Sequence, residues 1–328
     1  MDASPRPDRT DLPRAVTDLV PPGLIDAVHG HVPAPGFASG DTWLITAPGL
    51  VDELTELWTL TVTGPATYGN TSLVLPVTSP QGPAVLKLAW PHPELREEHR
   101  ALTLWGGRGA VRLLAADPSR SALLLERLEP RDLGGPPVSV LDSCEEIGRV
   151  AATLDRPAPA WLRQRASEHL RTLAADIDAL RTGPHSHALP RRLLERGRSL
   201  ALDLAAEPDI DARLVHADLH QHNVLWRPDP GEWVAIDPHA TAADPTWVVA
   251  PALWNRWEDA VAAYDTRVHL NVRLDVVCEA AGLDVDRGRV VSELRILRNA
   301  VGDVRAQPPD LAAALTRHVT ILKALQPG

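Results

Sequence analysis

The sequence has little cysteine, and what it has is not arranged as a set of ligands or a disulfide framework. Cys144 and Cys278 are the only two cysteines among 328 residues, and neither belongs to a CxxC pair. Disulfide frameworks and structural zinc sites need several cysteines or histidines at short, regular spacings. The sequence therefore excludes both, and we expect both thiols to be buried as small apolar side chains.

An excess of positive charge and a long apolar run are also missing. The formal net charge is −10, and no segment gathers a cluster of basic residues, so nucleic acid is not an expected partner. A cationic small molecule suits the negative electrostatic field of this protein better than a nucleic acid does. No stretch approaches the ~20 apolar residues of a membrane span, and the N-terminus lacks a signal peptide. We expect a cytoplasmic protein with no membrane partner, and the sequence leaves the oligomeric state open.

Lysine is almost absent, which makes its positions informative. Only two of the 33 basic residues are lysines, and one of them, Lys87, lies in the apolar run AVLKLAW, residues 84–90. A compact ammonium kept in a chain that otherwise uses arginine indicates a specific requirement. A buried ammonium stays charged when a carboxylate lies close to it. Glu98, beside the apolar face of a helix predicted over 93–105, is the expected partner, and Glu97 is the alternative.

Short apolar runs separated by turn residues predict an antiparallel sheet in the first part of the chain. The predicted strands are 57–62, 72–78, 84–90, 109–117 and 121–128, with the one helix after the third strand. Residues 1–40 show little periodicity and are expected to form an arm on this domain. Glycine and proline near residue 130 indicate a boundary, so the predicted domains are 1–128 and 129–328.

The helical period dominates after residue 130. The predicted helices are 141–154, 161–181, 190–206, 246–263, 267–282, 286–301 and 309–325, with short strands within 212–219 and 232–237. The fold class is therefore predicted to be α+β, with a five-stranded antiparallel sheet and one helix in the first domain and a mostly helical second domain.

Polar side chains follow the two short strands of the second domain. In LVHADLHQHNVLW, residues 214–226, Asp218 follows an apolar strand and Asn223 comes five residues later, and Asp237 ends the next apolar strand. Amide and carboxylate oxygens are the ligands that Mg²⁺ prefers. Phosphoryl transfer also needs an aspartate to accept the proton of the attacking hydroxyl and a cation to hold the phosphates. Asp218 and Lys87 are the candidates for these two tasks.

The same histidine-rich stretch permits another interpretation. His216, His220 and His222 could join Asp218 in binding a transition metal, which would indicate a metallohydrolase. That interpretation gives no task to Lys87 or Asn223. We expect instead that His216 hydrogen-bonds and braces the loop that carries Asp218.

The motifs together resemble a known family. HADLHQHNVL followed by IDP is similar to the catalytic and metal-binding motifs of aminoglycoside phosphotransferases and other kinase-like small-molecule kinases. PAVLKLAWP, LTLWGGRGAVRLL, ALLLERLEP, IDPHATAADP and APALWNRW resemble the aminoglycoside/hydroxyurea phosphotransferase family, which includes streptomycin 6-kinases. The resemblance covers roughly residues 40–305 and rests on ordered motifs.

The resemblance implies a two-lobed protein-kinase-like fold that uses ATP and Mg²⁺. It assigns the catalytic base to Asp218, the metal ligands to Asn223 and Asp237, the phosphate clamp to Lys87 and its ion-pair partner to Glu98. It further implies an adenine-binding linker, Glu126, Arg127 and Leu128, and a loop that covers the phosphates, with Gly69, Asn70 and Thr71. This loop lacks the GxGxxG pattern of protein kinases.

The implied reaction is ATP-dependent phosphorylation of a hydroxyl on an aminoglycoside-like antibiotic such as streptomycin, with resistance as the associated role. A kinase of the same fold acting on hydroxyurea or a metabolite, and a degenerate kinase that only binds nucleotide, remain alternatives. Family members usually have glycine where this chain has Ala217 and Ala243. If either position required a positive φ, alanine would strain the backbone by about 1 kcal/mol or more.

Overall fold

The computed structural model describes residues 12–31 and 35–326. The chain divides into two compact units. The first consists of the described residues up to Gly107 together with Val111–Leu128, and the second consists of Arg108–Ala110 together with the residues from Glu129 onward. The predicted first domain, 1–128, therefore differs from the first unit in residues 108–110, which belong to the second unit. Part of the predicted arm, residues 1–11 and 32–34, lies outside the described residues.

The first unit contains an antiparallel sheet of six strands, in the order β1-β3-β4-β6-β5 with β2 also paired to β3. The strands are β1 (Thr61–Val62), β2 (Thr67–Tyr68), β3 (Ser72–Ser79), β4 (Gly82–Ala89), β5 (Leu113–Asp117) and β6 (Ala122–Glu126). The predicted meander is present, and the short β2 is one strand more than expected. The first predicted strand, 57–62, was wrong over 57–60, because a helix extends to Leu57 and only Thr61–Val62 is strand. β4 lies between β3 and β6, so both of its edges are hydrogen-bonded, and the second half of β4 is buried.

The first unit has more helix than the sequence predicted. Its helices are α1 (Arg14–Leu19), α2 (Pro22–Val28), α3 (Gly40–Leu57) and α4 (Glu98–Trp105), with a 3₁₀ turn at Pro93–Leu95. The expectation of an aperiodic arm was wrong for α1 and α2. Pro13 and Pro21 are the N-cap residues of these helices, and proline fits the first turn of a helix because no N–H is needed there. The residues that suggested loop thus start helices.

The second unit is mostly helical. Its helices are α5 (Val140–Leu154), α6 (Ala166–Thr182), α7 (Arg191–Ala205), α8 (Pro251–Trp254), α9 (Trp257–Ala262), α10 (Thr266–Ala281), α11 (Val285–Ala306) and α12 (Leu311–Leu325). Six of the predicted helices are present with shifted ends, but the single helix expected over 246–263 is wrong. It is divided into a 3₁₀ turn and two short helices, because Pro251 begins α8 and Arg256 adopts a left-handed φ of 48°.

Short strands in the second unit support the polar loops. They are β7 (Arg156–Pro157), β8 (Arg213–His216), β9 (Val224–Arg227), β10 (Glu232–Ala235) and β11 (Ala240–Ala243). β8 lies between β7 and β11, and β9 and β10 form a separate antiparallel pair. Both cysteines are free and buried, which confirms the expectation from their spacing. Within residues 12–31 and 35–326, no helix has the length and apolar character that crossing a membrane requires.

Candidate active site

In the first unit, Lys87 is held by a buried ion pair. Its Nζ lies 2.7 Å from Glu98 Oε1 and 2.8 Å from Oε2. The two side chains are 7% and 3% exposed. Lys87 lies in β4 opposite Val74 of β3 and Leu123 of β6, and Glu98 is the first residue of α4. The predicted ion pair is therefore confirmed with Glu98 as the partner, while the roles of both residues stay predictions.

The predicted phosphate loop and linker lie at strand ends of the same unit. Gly69, Asn70 and Thr71 connect β2 to β3, and the Gly69 N–H donates to the Ser72 carbonyl at 3.0 Å. A Cβ at Gly69 would meet no atom within 4 Å, so the loop is open there.

The linker begins where β6 ends. The side chain of Glu126 accepts a hydrogen bond from the Arg112 N–H at 2.6 Å, which ties the end of β6 to the segment before β5. Arg127 and Leu128 follow it directly. The Glu126 side chain and the Glu126 N–H, which donates to the Arg112 carbonyl at 3.0 Å, are thus both engaged within the unit.

In the second unit, His216 braces the loop that carries Asp218. One ring nitrogen, Nδ1, accepts the backbone N–H of Asp218 at 3.2 Å, and the other, Nε2, lies 2.9 Å from the Ile236 carbonyl. Because a carbonyl can only accept, Nε2 carries the proton, and the ring is neutral. Burial lowers the pKa of His216 to about 4, which agrees with this tautomer. With both nitrogens engaged, His216 does not fit a metal ligand.

Neighbouring side chains fix the orientation of the Asp218 carboxylate through contacts to one of its oxygens, Oδ2. Asn223 Nδ2 donates to the Asp218 carbonyl at 2.9 Å and to Oδ2 at 3.3 Å, and His220 Nε2 lies 3.5 Å from Oδ2. No described residue hydrogen-bonds to Oδ1, and the side chain is 24% exposed. Burial alone would raise the pKa of Asp218, but the His220 hydrogen bond and nearby histidines lower it below its ordinary value. Asp218 is therefore ionised at neutral pH, with Oδ1 open to a hydroxyl.

Asn223 and Asp237 lie at the same end of the β9–β10 pair. Val224 pairs with Ala235, and the Ile236 N–H donates to the Asn223 carbonyl at 2.9 Å. Asp237, the next residue, has a φ of 54°. Since the Asn223 amide nitrogen is turned toward Asp218, its oxygen is the group left for another partner. An amide oxygen and a carboxylate fit a hard cation such as Mg²⁺.

A transition-metal site is not formed by the histidines. Among the residues that the structure describes, no group of three His, Cys, Asp or Glu side chains is placed to hold a metal ion. His222 Nδ1 lies 2.8 Å from Asp132 Oδ2 and is engaged there. The geometry thus gives the metallohydrolase interpretation no ligand set in this part of the chain.

Several contacts in this region were not expected from the sequence. The sequence named His220 only as a possible metal ligand, yet its Nε2 lies 3.5 Å from Asp218 Oδ2. The segment after Leu128 binds the same loop, because Asp132 contacts His222 and the Leu133 N–H donates to the Gln221 carbonyl. Nothing in the local pattern indicated these pairings, because they join positions about ninety residues apart.

The two alanines at glycine positions cause no backbone strain. Neither Ala217 nor Ala243 is among the residues with a positive φ, and Ala243 lies in β11 opposite Arg213. The condition under which alanine would be costly is therefore not met. Asp244 caps the following 3₁₀ turn by accepting the Thr246 N–H, so it braces the turn of residues 243–245.

An antiparallel sheet with a glutamate-paired lysine, followed by a helical unit with an Asp-Asn-Asp set on its loops, is typical of protein-kinase-like phosphotransferases. A choline/ethanolamine kinase family protein from Mesorhizobium loti has the same fold: its TM-score is 0.59 at 15% identity, covering 84% of this chain and 94% of that one. The α+β, two-unit fold class is thus confirmed. The sequence profile of the aminoglycoside/hydroxyurea antibiotic resistance kinases matches residues 57–295, and the chain belongs to that family.

Two curated relatives are similar over most of their length. A streptomycin 6-kinase from Streptomyces glaucescens is 38% identical over 296 residues, which cover 88% of this chain and 92% of that protein. A hydroxyurea phosphotransferase from Kitasatospora aureofaciens is 37% identical over 278 residues, which cover 82% of this chain and 76% of that protein. The chain is therefore a kinase by family, and the resemblance first given by its motifs is confirmed.

Proposed function

We propose that this kinase transfers the γ-phosphoryl group of ATP to a hydroxyl of a streptomycin-like aminoglycoside. Its relatives include a streptomycin 6-kinase at 38% identity, and its net charge of −10 favours a cationic acceptor. The observation that carries the proposal is the open Oδ1 of the ionised Asp218 carboxylate. A hydroxyl bound there can be turned toward the phosphorus and can pass its proton to the carboxylate.

The proposed reaction makes one bond and breaks one. The acceptor oxygen attacks the γ-phosphorus, the bond from that phosphorus to the bridging oxygen breaks, and ADP leaves. Asp218 orients the hydroxyl and receives its proton, while His216 holds the Asp218 backbone in place. Because the lowered pKa of Asp218 makes its carboxylate a weak base, the proton moves late, once bonding of the acceptor oxygen to phosphorus has made the hydroxyl proton acidic.

Phosphate binding is assigned to the residues around Lys87. The ammonium, kept charged by Glu98, offsets the negative charge of the phosphates. The backbone of Gly69, Asn70 and Thr71 would cover the phosphates. The backbone of the segment from Glu126 through Leu128 would bind the adenine.

Asn223 and Asp237 are the residues that would hold Mg²⁺. When bound, this ion supplies positive charge to the phosphate oxygens. The oxygen donors of the two side chains support the assignment because they suit a hard cation. Asn223 also holds the Asp218 carboxylate through its amide nitrogen, so Asp237 is the residue whose loss should affect nucleotide use more than acceptor orientation.

Hydroxyurea is the second candidate acceptor, because a hydroxyurea phosphotransferase is 37% identical to this chain. Hydroxyurea is a small neutral molecule, so the strongly acidic character of this protein gives it no electrostatic advantage. A direct comparison of both acceptors under identical conditions decides between them.

Mass spectrometry of acceptors incubated with protein, Mg²⁺ and ATP tests the proposal. We expect one added phosphoryl group on streptomycin, little on hydroxyurea, and a loss of about 10³-fold or more in kcat for Asp218→Asn. Asp203→Asn, an exposed carboxylate on α7, is the matched control and should match wild type. Equal turnover by Asp218→Asn would refute the role of Asp218, and nucleotide binding without any product would indicate a degenerate kinase.

A further inference from the structure

A buried arginine of α11 reaches the loop that carries Asp218. Arg295 is 6% exposed, and its Nη2 donates to the Ala217 carbonyl at 2.6 Å. Its Nη1 donates to the Trp247 carbonyl at 2.5 Å. The residues joined by the first bond are 78 positions apart. The guanidinium thus bridges the peptide just before Asp218 and the 3₁₀ turn that follows β11.

Two tryptophan rings hold the guanidinium in position. Arg295 Cζ lies 5.4 Å from the ring centroid of Trp247 and 5.4 Å from that of Trp254. A cation over an aromatic face is attracted to it, most strongly where water is excluded. Two cation–aromatic contacts and two directed hydrogen bonds leave this side chain little freedom to rotate.

Both polar groups of the peptide between Ala217 and Asp218 are hydrogen-bonded, and so is the N–H of the preceding peptide. The Ala217 N–H donates to the His239 carbonyl at 2.9 Å, the Ala217 carbonyl accepts from Arg295, and the Asp218 N–H donates to His216 Nδ1 at 3.2 Å. Of these three bonds, the one from Arg295 is charge-assisted and therefore the strongest. Rotation of this peptide would carry the Asp218 side chain with it.

We propose that Arg295 is a positioning residue for the reaction: by holding the Ala217 carbonyl, it sets the direction in which the Asp218 carboxylate points. The inference rests on the proposed function of Asp218 as the group that orients the acceptor hydroxyl. It assigns to Arg295 no contact with nucleotide or acceptor. Its loss should therefore lower kcat and leave the KM for ATP almost unchanged.

The chemistry of the contact requires arginine specifically. Two separate N–H groups of one planar fork bind two carbonyls, and its central carbon lies 5.4 Å from the centroids of two tryptophan rings. Lysine offers a single nitrogen, which cannot reproduce this fixed geometry. Arg295→Lys should therefore keep the charge but only part of the rate, and Arg295→Ala should lose more.

Steady-state kinetics of Arg295→Ala, Arg295→Lys and Arg289→Ala provide the test. Arg289 lies on the same helix but contacts Asn271 and Asp275 of α10, so its removal should leave kcat within about twofold. For Arg295→Ala we expect a fall in kcat of about 30-fold or more with the KM for ATP within about threefold. Arg295→Lys should fall between wild type and Arg295→Ala.

Chemical rescue separates positioning from general stability. Methylguanidinium added at low millimolar concentration can occupy the space left in Arg295→Ala and should restore at least about fivefold of the lost kcat. It should not restore Asp218→Asn, whose defect is in the carboxylate itself. A purely structural role of Arg295 would give lower thermal stability without a selective recovery of kcat.

The outcomes are distinct. If the wild-type protein phosphorylates no acceptor, the proposed function fails. If the wild type is active and folded Arg295→Ala keeps kcat within about twofold, or if KM changes in place of kcat, the positioning role is wrong. If neither variant can be purified folded, Arg295 is a structural residue and the inference is wrong as well.

Discussion

Removing the charge of Glu98, the partner of Lys87, should change the free energy of unfolding by an amount that follows directly from the structure. At 2.7 Å, the gross attraction between the two charges is about 6 kcal/mol for an effective dielectric near 20. Much of it offsets the cost of taking both charges out of water. Breaking a buried ion pair by removing one partner costs about 3 to 5 kcal/mol. We therefore expect Glu98→Gln to lower the free energy of unfolding by about that amount.

A double-mutant cycle isolates the ion pair from other effects of the substitutions. Lys87→Met removes the cation, and Lys87→Met combined with Glu98→Gln removes both charges. Because the double variant leaves no unpaired charge buried, its loss of stability should be smaller than the sum of the single losses by about 2 kcal/mol or more. Urea unfolding followed by tryptophan fluorescence measures all four proteins. The double variant should remain inactive if Lys87 binds the phosphates.

A surface ion pair supplies the control for this cycle. Arg191 and Glu195 on α7 form a pair with side chains 80% and 44% exposed, and Glu195→Gln should leave the unfolding curve unchanged because exposed pairs contribute little. The reasoning would be wrong if Glu98→Gln were no more destabilising than Glu195→Gln, or if the losses of the two single variants simply added.

Two further predictions concern pH and a glycine position. Burial, with the charges of Arg298 and Arg295, lowers the pKa of His169 from 6.5 to about 4. As pH falls, His169 therefore takes up a proton in the unfolded chain before it does so in the folded protein. The free energy of unfolding falls between pH 6.5 and pH 4, by at most about 3 kcal/mol, and His169 has no effect on it above pH 7. Unfolding of His169→Gln across this range should show a shallower loss, and identical pH profiles would refute the assignment. Separately, Ala217→Gly should not raise kcat, because φ at Ala217 is not positive, and should lower stability by about 0.5 to 1 kcal/mol; increased activity would contradict the geometry.

The parts of the fold that could be predicted depend on local pattern. The second half of β4 and the helix carrying Glu98 follow from apolar runs of the right period, and their proximity in sequence allowed the Lys87–Glu98 pair to be anticipated. Helices α5, α10 and α12 likewise match their predicted spans closely. In each case the buried surface of a single helix or strand determines the secondary structure, and a short window of the sequence is enough to predict it.

Two secondary-structure predictions that were wrong concern prolines, whose effect depends on their position within the element. Proline indicated loop before residue 40, yet Pro13 and Pro21 precede helices, where the missing N–H has no cost. Conversely, the apolar period over 246–263 predicted one helix, but Pro251 and the left-handed Arg256 divide it. All three prolines lie at or directly before the first residue of a helix, and composition alone does not show whether such a proline starts a new helix or divides an apolar run.

The candidate site shows the same division between local and distant information. The spacing of Asp218 and Asn223 could be read directly, since both belong to one loop, and the hydrogen bond from Asn223 to the Asp218 carbonyl follows from that closeness. Arg295 could not be identified, because it is one arginine among 31 and its partner is a backbone carbonyl, which leaves no mark in the sequence. A backbone acceptor imposes no residue type at position 217, so the contact is decided entirely by where α11 packs. This is why the direction of the Asp218 side chain, unlike its identity, requires the folded structure.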